Sequence, residues 1–372
     1  MSDNFGNKDY DSYFKALEQR ANSPSNRIRF TERKSASEKP KKGIYKTFRL
    51  RKSVIALFVA AVILIGGICI APSFKGKPHT ADSKPENTDA EIPVLDEREE
   101  EKTRISFLST DETDEIPASN DAKSAIVINK TKGTVVAQRN AHQRVFPAST
   151  TKVMTLLVAV EHITDFEDTY KMTYEVTDPL YVAEASVAGF SNDEDVTMTD
   201  LLYGMILPSG ADGAMGLAMK IAGSEEKFAE LMNQKVRELG LEDTHFSNVS
   251  GLHSEQNYST AYDMAIILNA AMENETCRKI LSTYKHTTRS TPQHPDGIDL
   301  SCTLFNYMYG TEPATAVIKG GKTGFVNESG YCIVTFGTAK ESNDEYIVAT
   351  MGNSSRWPAF YGQIDLYKEF AK

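Results

Sequence analysis

The chain has 372 residues, 40% of them hydrophobic, with 41 Lys/Arg against 51 Asp/Glu and a net charge of −10. That is enough apolar material for a large core without disulfide support, and the acidic balance disfavours a nucleic-acid binder. The charge is uneven, because residues 1–53 alone carry 14 Lys/Arg and only 6 Asp/Glu.

Residues 1–53 show no sustained period and read as a basic, disordered cytoplasmic tail, with Tyr10, Tyr13 and Phe14 as a short candidate docking motif. The run VIALFVAAVILIGGICIA, residues 54–71, is uncharged over 18 residues. As a helix it spans about 27 Å, close to the roughly 30 Å hydrocarbon core of a bilayer. A buried core helix normally keeps a polar face, which this run lacks. Its distance from the N-terminus does not suit a cleaved signal peptide. It therefore predicts a transmembrane anchor. Lys41, Lys42, Lys46, Arg49, Arg51 and Lys52 crowd its near side, which places the N-terminus in the cytoplasm and the bulk of the chain outside the cell.

Cys69 lies in that run, leaving Cys277, Cys302 and Cys332 outside. Three thiols cannot all pair within one chain, so they read as packing residues. Residues 72–122 hold 14 Asp/Glu, 6 Lys/Arg and prolines at 72, 78, 85, 93 and 117, the composition of an acidic extracellular linker. The folded domain is expected over 123–372.

AIVINKTKGTVVAQ alternates and breaks at Lys132-Gly133, predicting a two-strand hairpin. From Ser149 the period becomes helical, with Val153, Leu156, Leu157 and Val160 on one face. DLLYGMILPSGADGAMGLAMKIAG predicts two helices joined at 208–210. SEEKFAELMNQKVRELG ends at a C′ glycine, Gly240, and STAYDMAIILNAAM opens with Thr260 as cap to Asp263. Strands return in ATAVIKGG, GYCIVTFGTA and EYIVATMGN, before a terminal helix in FYGQIDLYKEF. Strands at both ends with helices between them predict an α+β fold whose sheet joins the two ends of the chain.

Ser-x-x-Lys occurs four times, at Ser12/Lys15, Ser149/Lys152, Ser224/Lys227 and Ser282/Lys285, so the match alone carries little. Ser149 stands apart because it opens an apolar helix, where it is either an N-cap or a nucleophile. Residues three apart on a helix share a face, so Lys152 can reach the Ser149 hydroxyl. A lysine serves as base only where desolvation or another cation lowers its pKa. KGGKTGF, residues 319–325, holds the chain's one Lys-Thr-Gly on a predicted strand. There Lys322 and Thr323 suit a carboxylate, and the glycines admit close backbone approach; a solvated lysine on a glycine-rich hairpin is the alternative.

The order SxxK, a Ser-Gly pair about 60 residues on and KTG about 110 residues later resembles the penicillin-recognising serine enzymes. From about residue 124 onward the chain is most similar to the low-molecular-mass penicillin-binding proteins that act as D-alanyl-D-alanine carboxypeptidases. PASTTKVMT, LPSGADGA, THFSNVSGLHSEQNYSTAYDMA and GGKTGFVNESGYC carry this likeness. The resemblance implies a β-lactamase/transpeptidase-like fold, an antiparallel sheet flanked by helices with a helical lobe. It makes Ser149 the acylated nucleophile, Lys152 its base and Ser209 a proton relay. Lys322 and Thr323 would hold the terminal carboxylate, Gly324 would admit the substrate backbone, and the amides of Ser149 and Phe325 would form the oxyanion hole. The implied partners are peptidoglycan stem peptides, β-lactams and the cytoplasmic membrane, with no cofactor.

One position departs from the family pattern: Ala211 stands where an Asn is expected, followed by Asp212. Either Asp212 supplies part of the missing polarity or it is a helix-start residue. His245, Asn248 and His253 lack metal-ligand spacing, and no metal is expected. A serine β-lactamase shares the motifs, but the segment between Ser209 and Lys322 offers no convincing Glu-bearing loop. A weakly active receptor for muropeptides or β-lactams, signalling through the tail, is the reading that Ala211 and the long tail motivate.

Overall fold

The structure, a computed structural model, describes residues 106–372. The basic tail, the apolar run 54–71 and most of the acidic linker lie outside the described residues. Among the described residues, no helix is long and apolar enough to cross a membrane.

In chain order the domain comprises β1 (Leu108–Glu115), β2 (Ser124–Asn129), β3 (Thr134–Arg139), a 3-10 turn (Ala148–Thr151), α1 (Lys152–His162), β4 (Thr169–Lys171), α2 (Tyr174–Val182) and β5 (Asp195–Thr197). There follow α3 (Met198–Ile206), α4 (Ala211–Ala222), α5 (Glu225–Glu238), α6 (Ala261–Glu273), α7 (Glu275–Leu281), β6 (Lys285–Thr287), β7 (Asp299–Ser301) and α8 (Thr303–Met308). The chain closes with β8 (Ala316–Val326), β9 (Gly330–Ala339), β10 (Glu345–Asn353) and α9 (Arg356–Phe370).

Six strands form one sheet in the order β1-β3-β2-β10-β9-β8, so the N-terminal hairpin does join the C-terminal strands. Both faces of this sheet are covered. Along β2, Ile126 and Ile128 enter the core shared with the helical lobe, while Ala125 and Val127 enter a second core beneath α9. Strand period places alternate residues on opposite faces, so a strand covered on both sides is buried throughout.

Two expectations need correction. The folded domain is expected over 123–372, but among the described residues it already includes Phe107 and β1, because β1 pairs with β3 and does so in parallel, making the sheet mixed at that edge. The strand reads LSTDETDE and is largely exposed, so its composition resembles a linker. It is pinned at its ends by Phe107 and fully buried Ile116, and the Phe107 N–H donates to the Tyr262 hydroxyl at 3.1 Å. The second concerns α1, which is buried all round from Lys152 to Val160 rather than along one stripe. It is the central helix of the lobe, packed among α3, α4, α5, α6 and α7.

Candidate active site

The Pro147-Ala148-Ser149 entry to α1 is tightly wound. Ala148 has φ of 48°, a left-handed conformation that an L-residue adopts only under constraint. The turn packs against Gly251, itself at φ 78°, where a Cβ would lie 1.9 Å from the Ala148 carbonyl oxygen. Any side chain there would clash with the serine turn.

Ser149 makes no capping bond at the helix start. Its Oγ accepts from Lys152 Nζ at 2.9 Å and donates to the Ser250 carbonyl at 3.4 Å. Lys152 Nζ also donates to that carbonyl, at 2.7 Å. Ser250 is placed by an Asx-type turn, in which Asn248 accepts the Gly251 N–H at 2.7 Å and donates to the Leu252 carbonyl at 2.9 Å. The Lys152 side chain is 2% exposed. Burial pushes its amine well below the usual lysine range, the nearby Lys322 charge pushes the same way, and Asp212 opposes them.

On the sheet edge, β8 brings Lys322 to the same place. Lys322 is 1% exposed, and its Nζ donates to Ser209 Oγ at 2.9 Å and to the Thr323 carbonyl at 2.8 Å. Burial lowers its pKa to about 8. Ser209, between α3 and α4, has φ of 67°, a second left-handed residue in the cleft. The Thr323 hydroxyl is half-buried and lies 2.9 Å from the Thr303 hydroxyl. Gly324 passes so close to the serine turn that a Cβ would sit 2.9 Å from both the Ser149 and Thr150 amide nitrogens. Phe325 is 48% exposed and packs on Tyr331 with ring centroids 4.4 Å apart.

Three segments far apart in sequence therefore converge, with two lysines and two serines linked by hydrogen bonds. Ala211 is buried and presents only a methyl group. Asp212 does not take the place of an amide there. Its carboxylate accepts the N–H groups of Ala188, Gly189 and Phe190 at 2.8, 2.9 and 3.3 Å, and that of Gly213 at 2.9 Å.

The histidines of THFSNVSGLH lie apart from this chemistry. His245 pairs with the Gln256 carbonyl, and His253 packs edge-on against Phe146. Cys277, Cys302 and Cys332 are buried free thiols. Sequence reasoning missed the Ser250 carbonyl and Thr303. The Asn-x-x-Gly turn signal at 248–251 marks the first, whereas Thr303 has no local signature.

Residues 110–355 match the family model described as D-alanyl-D-alanine carboxypeptidase. The chain is 32% identical over 243 residues to the D-alanyl-D-alanine carboxypeptidase DacF of Bacillus subtilis (strain 168), covering 64% of this chain and 59% of that protein. It is 29% identical over 252 residues to DacD of Escherichia coli (strain K12), covering 64% and 60%. It thus spans about 60% of the length of these curated relatives. The crystal structure of the Streptomyces K15 DD-transpeptidase superposes with a TM-score of 0.60 at 27% identity, over 67% of this chain and 97% of that one. The D-alanyl-D-alanine carboxypeptidase of Mycobacterium tuberculosis H37Rv gives 0.59 at 26% identity, over 69% and 94%. With two thirds of its length matched by the family model and these relatives alongside, the chain belongs to the D-alanyl-D-alanine carboxypeptidase family.

Proposed function

We propose that this protein is a serine-type D-Ala-D-Ala carboxypeptidase, anchored in the cytoplasmic membrane by residues 54–71 with its catalytic domain outside, that removes the terminal D-alanine of peptidoglycan stem peptides and is acylated by penicillin. The observation that carries the reading is the 2.9 Å contact between Ser149 Oγ and a fully desolvated Lys152 amine. A neutral amine is a base and an ammonium is not, so burial beside a second cation prepares Lys152 to take the serine proton. The anchor rests on the apolar run and its basic flank alone.

In this reading the Ser149 oxygen attacks the carbonyl carbon of the terminal D-Ala-D-Ala bond as its proton passes to Lys152. The amides of Ser149 and Phe325 receive the negative oxygen, where Gly324 lets β8 approach the serine turn. The C–N bond then breaks, and the leaving amine is protonated through Lys152 and Ser209. Because Lys322 donates to Ser209 Oγ, the Ser209 hydroxyl hydrogen is free to point at that amine. Water then hydrolyses the ester on Ser149. Lys322 is too enclosed by Ser209 and Thr323 to be the outermost contact of the substrate carboxylate. The half-buried Thr323 hydroxyl makes that contact, and Lys322 supplies positive potential behind it.

The purified full chain in detergent should release D-alanine from a pentapeptide and carry fluorescent penicillin on Ser149, and Ser149→Ala should do neither. An unlabelled wild type, or equal labelling of the Ala variant, would sink the reading. Rapid turnover of nitrocefin would point to a β-lactamase instead, and stem-peptide binding without D-alanine release to a receptor.

A further inference from the structure

One exposed strip of the domain serves neither the core nor the cleft. α9 packs on the sheet through Ala359, Phe360, Ile364, Leu366 and Tyr367, all buried. Its opposite face begins with Trp357, 51% exposed, and Tyr361, 50% exposed, one turn apart. The single Trp of the chain is thus left half in solvent, although an apolar interior lies beneath its helix. We propose that this strip is a docking surface for a glycan strand, with Trp357 and Tyr361 stacked on the apolar faces of pyranose rings. The two aromatic rings are tilted by only 27°, with centroids 6.2 Å apart, and each keeps half its surface free. Tyr307 on α8 meets the Trp357 ring at 88° and 6.1 Å and packs on Phe360 at 5.2 Å, which supports the strip from behind. Arg356 lies over the Tyr307 ring, its Cζ 4.7 Å from the centroid, and among the described residues it forms no ion pair. Asp365, one turn beyond Tyr361, is bonded to Lys368 at 3.0 Å and ends the strip with polar groups.

A β-linked pyranose carries C–H bonds on its two faces and polar groups round its rim. Its faces are attracted to the negative face of an aromatic ring, while Arg356 donates to the rim and Asp365 accepts from it. Two other occupants suit the strip less well. An anionic lipid surface is opposed by charge: residues 123–372 carry 21 Lys/Arg against 31 Asp/Glu, and the exposed face of α9 continues into Asp365 and Glu369, not into aliphatic side chains. A second copy is opposed by area, because each half-exposed ring offers about 100 Å², whereas a stable dimer buries about 800 Å² per partner. α8 joins the strip to the cleft, since Thr303, bonded to Thr323, precedes Tyr307 by one turn, a rise of about 6 Å. The strip therefore lies beyond the end of the cleft that receives the substrate carboxylate. That carboxylate is the free end of a stem peptide, so the strand held here is a neighbour of the one whose peptide is cut. The saccharide chemistry rests on the strip itself; that the strand is peptidoglycan rests on the function proposed above.

The test uses the full chain in a detergent without a sugar headgroup, titrated with the β-1,4-linked tetramer of N-acetylglucosamine. Trp357 is its own reporter, and its emission should change with half-saturation at about 1 mM. Tyr361→Ala keeps the reporter and should weaken binding about fivefold; Trp357→Ala, followed by calorimetry, should weaken it at least as much. Both variants should take fluorescent penicillin on Ser149 and release D-alanine from a soluble pentapeptide at the wild-type rate, yet release it several-fold more slowly from isolated wall sacculi. Melting curves establish that each variant is folded. Emission unmoved by the tetramer, or equal half-saturation for wild type and Tyr361→Ala, overturns the proposal. Emission that instead differs between phosphatidylglycerol and phosphatidylcholine vesicles, or that changes with protein concentration, overturns it in favour of a lipid surface or a second copy. Tetramer binding by a wild type that takes no label on Ser149 would remove the acylation reading and leave the glycan surface standing.

Discussion

Lysines at the rim of the domain and lysines in its cleft have opposite surroundings. At the rim, Lys130 bridges Glu273 and Glu345 at 2.9 Å each, and Lys235 bridges Glu161 at 2.9 Å and Glu238 at 2.6 Å. Burial acts against both charges, but the paired carboxylates outweigh it and push both pKa values up. In the cleft, Lys152 and Lys322 are bonded to hydroxyls and carbonyls, and burial pushes both down. Among the described residues no carboxylate lies within ion-pair distance of either cleft lysine, although Asp212 acts on Lys152 from further off. The same side chain is thus an architectural ion pair in one place and an amine of lowered proton affinity in the other. Desolvating an amine that has no carboxylate partner is costly, and such a site is a candidate for chemistry rather than stability.

The largest expected effect comes from swapping Lys152 for an isosteric apolar group. Lys152→Met should slow penicillin acylation by about a thousandfold, within the range for loss of a general base. It should also raise stability by about 1 kcal/mol, because a buried amine with no carboxylate partner is replaced by an apolar side chain of similar size, a gain reduced by the loss of its bonds to Ser149 and the Ser250 carbonyl. Lys235→Met should leave the labelling rate unchanged and lower stability by about 1 kcal/mol. Urea unfolding midpoints and labelling rates of the pair give both readings, and equal signs for the two stability changes would break the comparison.

The next effect is linkage to pH. The Lys322 pKa is about 8 in the folded state and about 10.4 when unfolded, so between those values the unfolded chain binds more protons. The stability missing below pH 8 is therefore regained as pH rises, and wild type should close about 3 kcal/mol of its deficit relative to Lys322→Met by pH 10.5. Cys277 and Cys332, pushed by burial to about 12 and about 11, pull the other way above pH 9, but they do so in both proteins and cancel in the difference. A gap independent of pH would show that Lys322 is not held below its ordinary range.

Backbone proximity gives a smaller effect. Gly324→Ala places a methyl group 2.9 Å from two amide nitrogens of the serine turn, and the strand must retreat. A retreat costing about 1 to 2 kcal/mol predicts acylation about five- to thirtyfold slower. Measured on labelling, an unaffected rate would remove Gly324 from the site.

Much of this was legible in the sequence because the signals were local. The β2–β3 hairpin, the break between α3 and α4 and the Thr260 cap each sit within a few residues of their cause. Thr260 Oγ1 does accept the Asp263 N–H, at 2.9 Å. The expected motif residues do meet in space. What escaped depends on distant partners. β1 has no apolar alternation and is defined by pairing with β3 and by two buried end residues. α2 carries Pro179 and exposed Tyr181 and Val182, so it lacks a helical stripe. The capping reading of Ser149 failed because a 3-10 turn, packed against Gly251 from about 100 residues away, precedes the helix, and the hydroxyl is bonded to Lys152.

Thr303 is the sharpest case of a residue visible only in three dimensions, and it supports the smallest effect. Its hydroxyl lies 2.9 Å from that of Thr323, and its N–H donates to the Leu207 carbonyl at 3.0 Å, tying α8 to the loop that carries Ser209. If Thr303 donates, the Thr323 hydrogen is left to point outward at a substrate carboxylate, as Lys322 leaves the Ser209 hydrogen free. Thr303→Val keeps the shape and removes the donor. The loss of about 1 kcal/mol should raise KM for a pentapeptide about fivefold with kcat nearly unchanged. Thr287→Val, which removes an exposed hydroxyl bonded to Asp299 on the β6–β7 hairpin, should change neither. A matching fall in kcat for Thr303→Val would mean that the hydroxyl supports the serine motif and not the carboxylate end of the cleft.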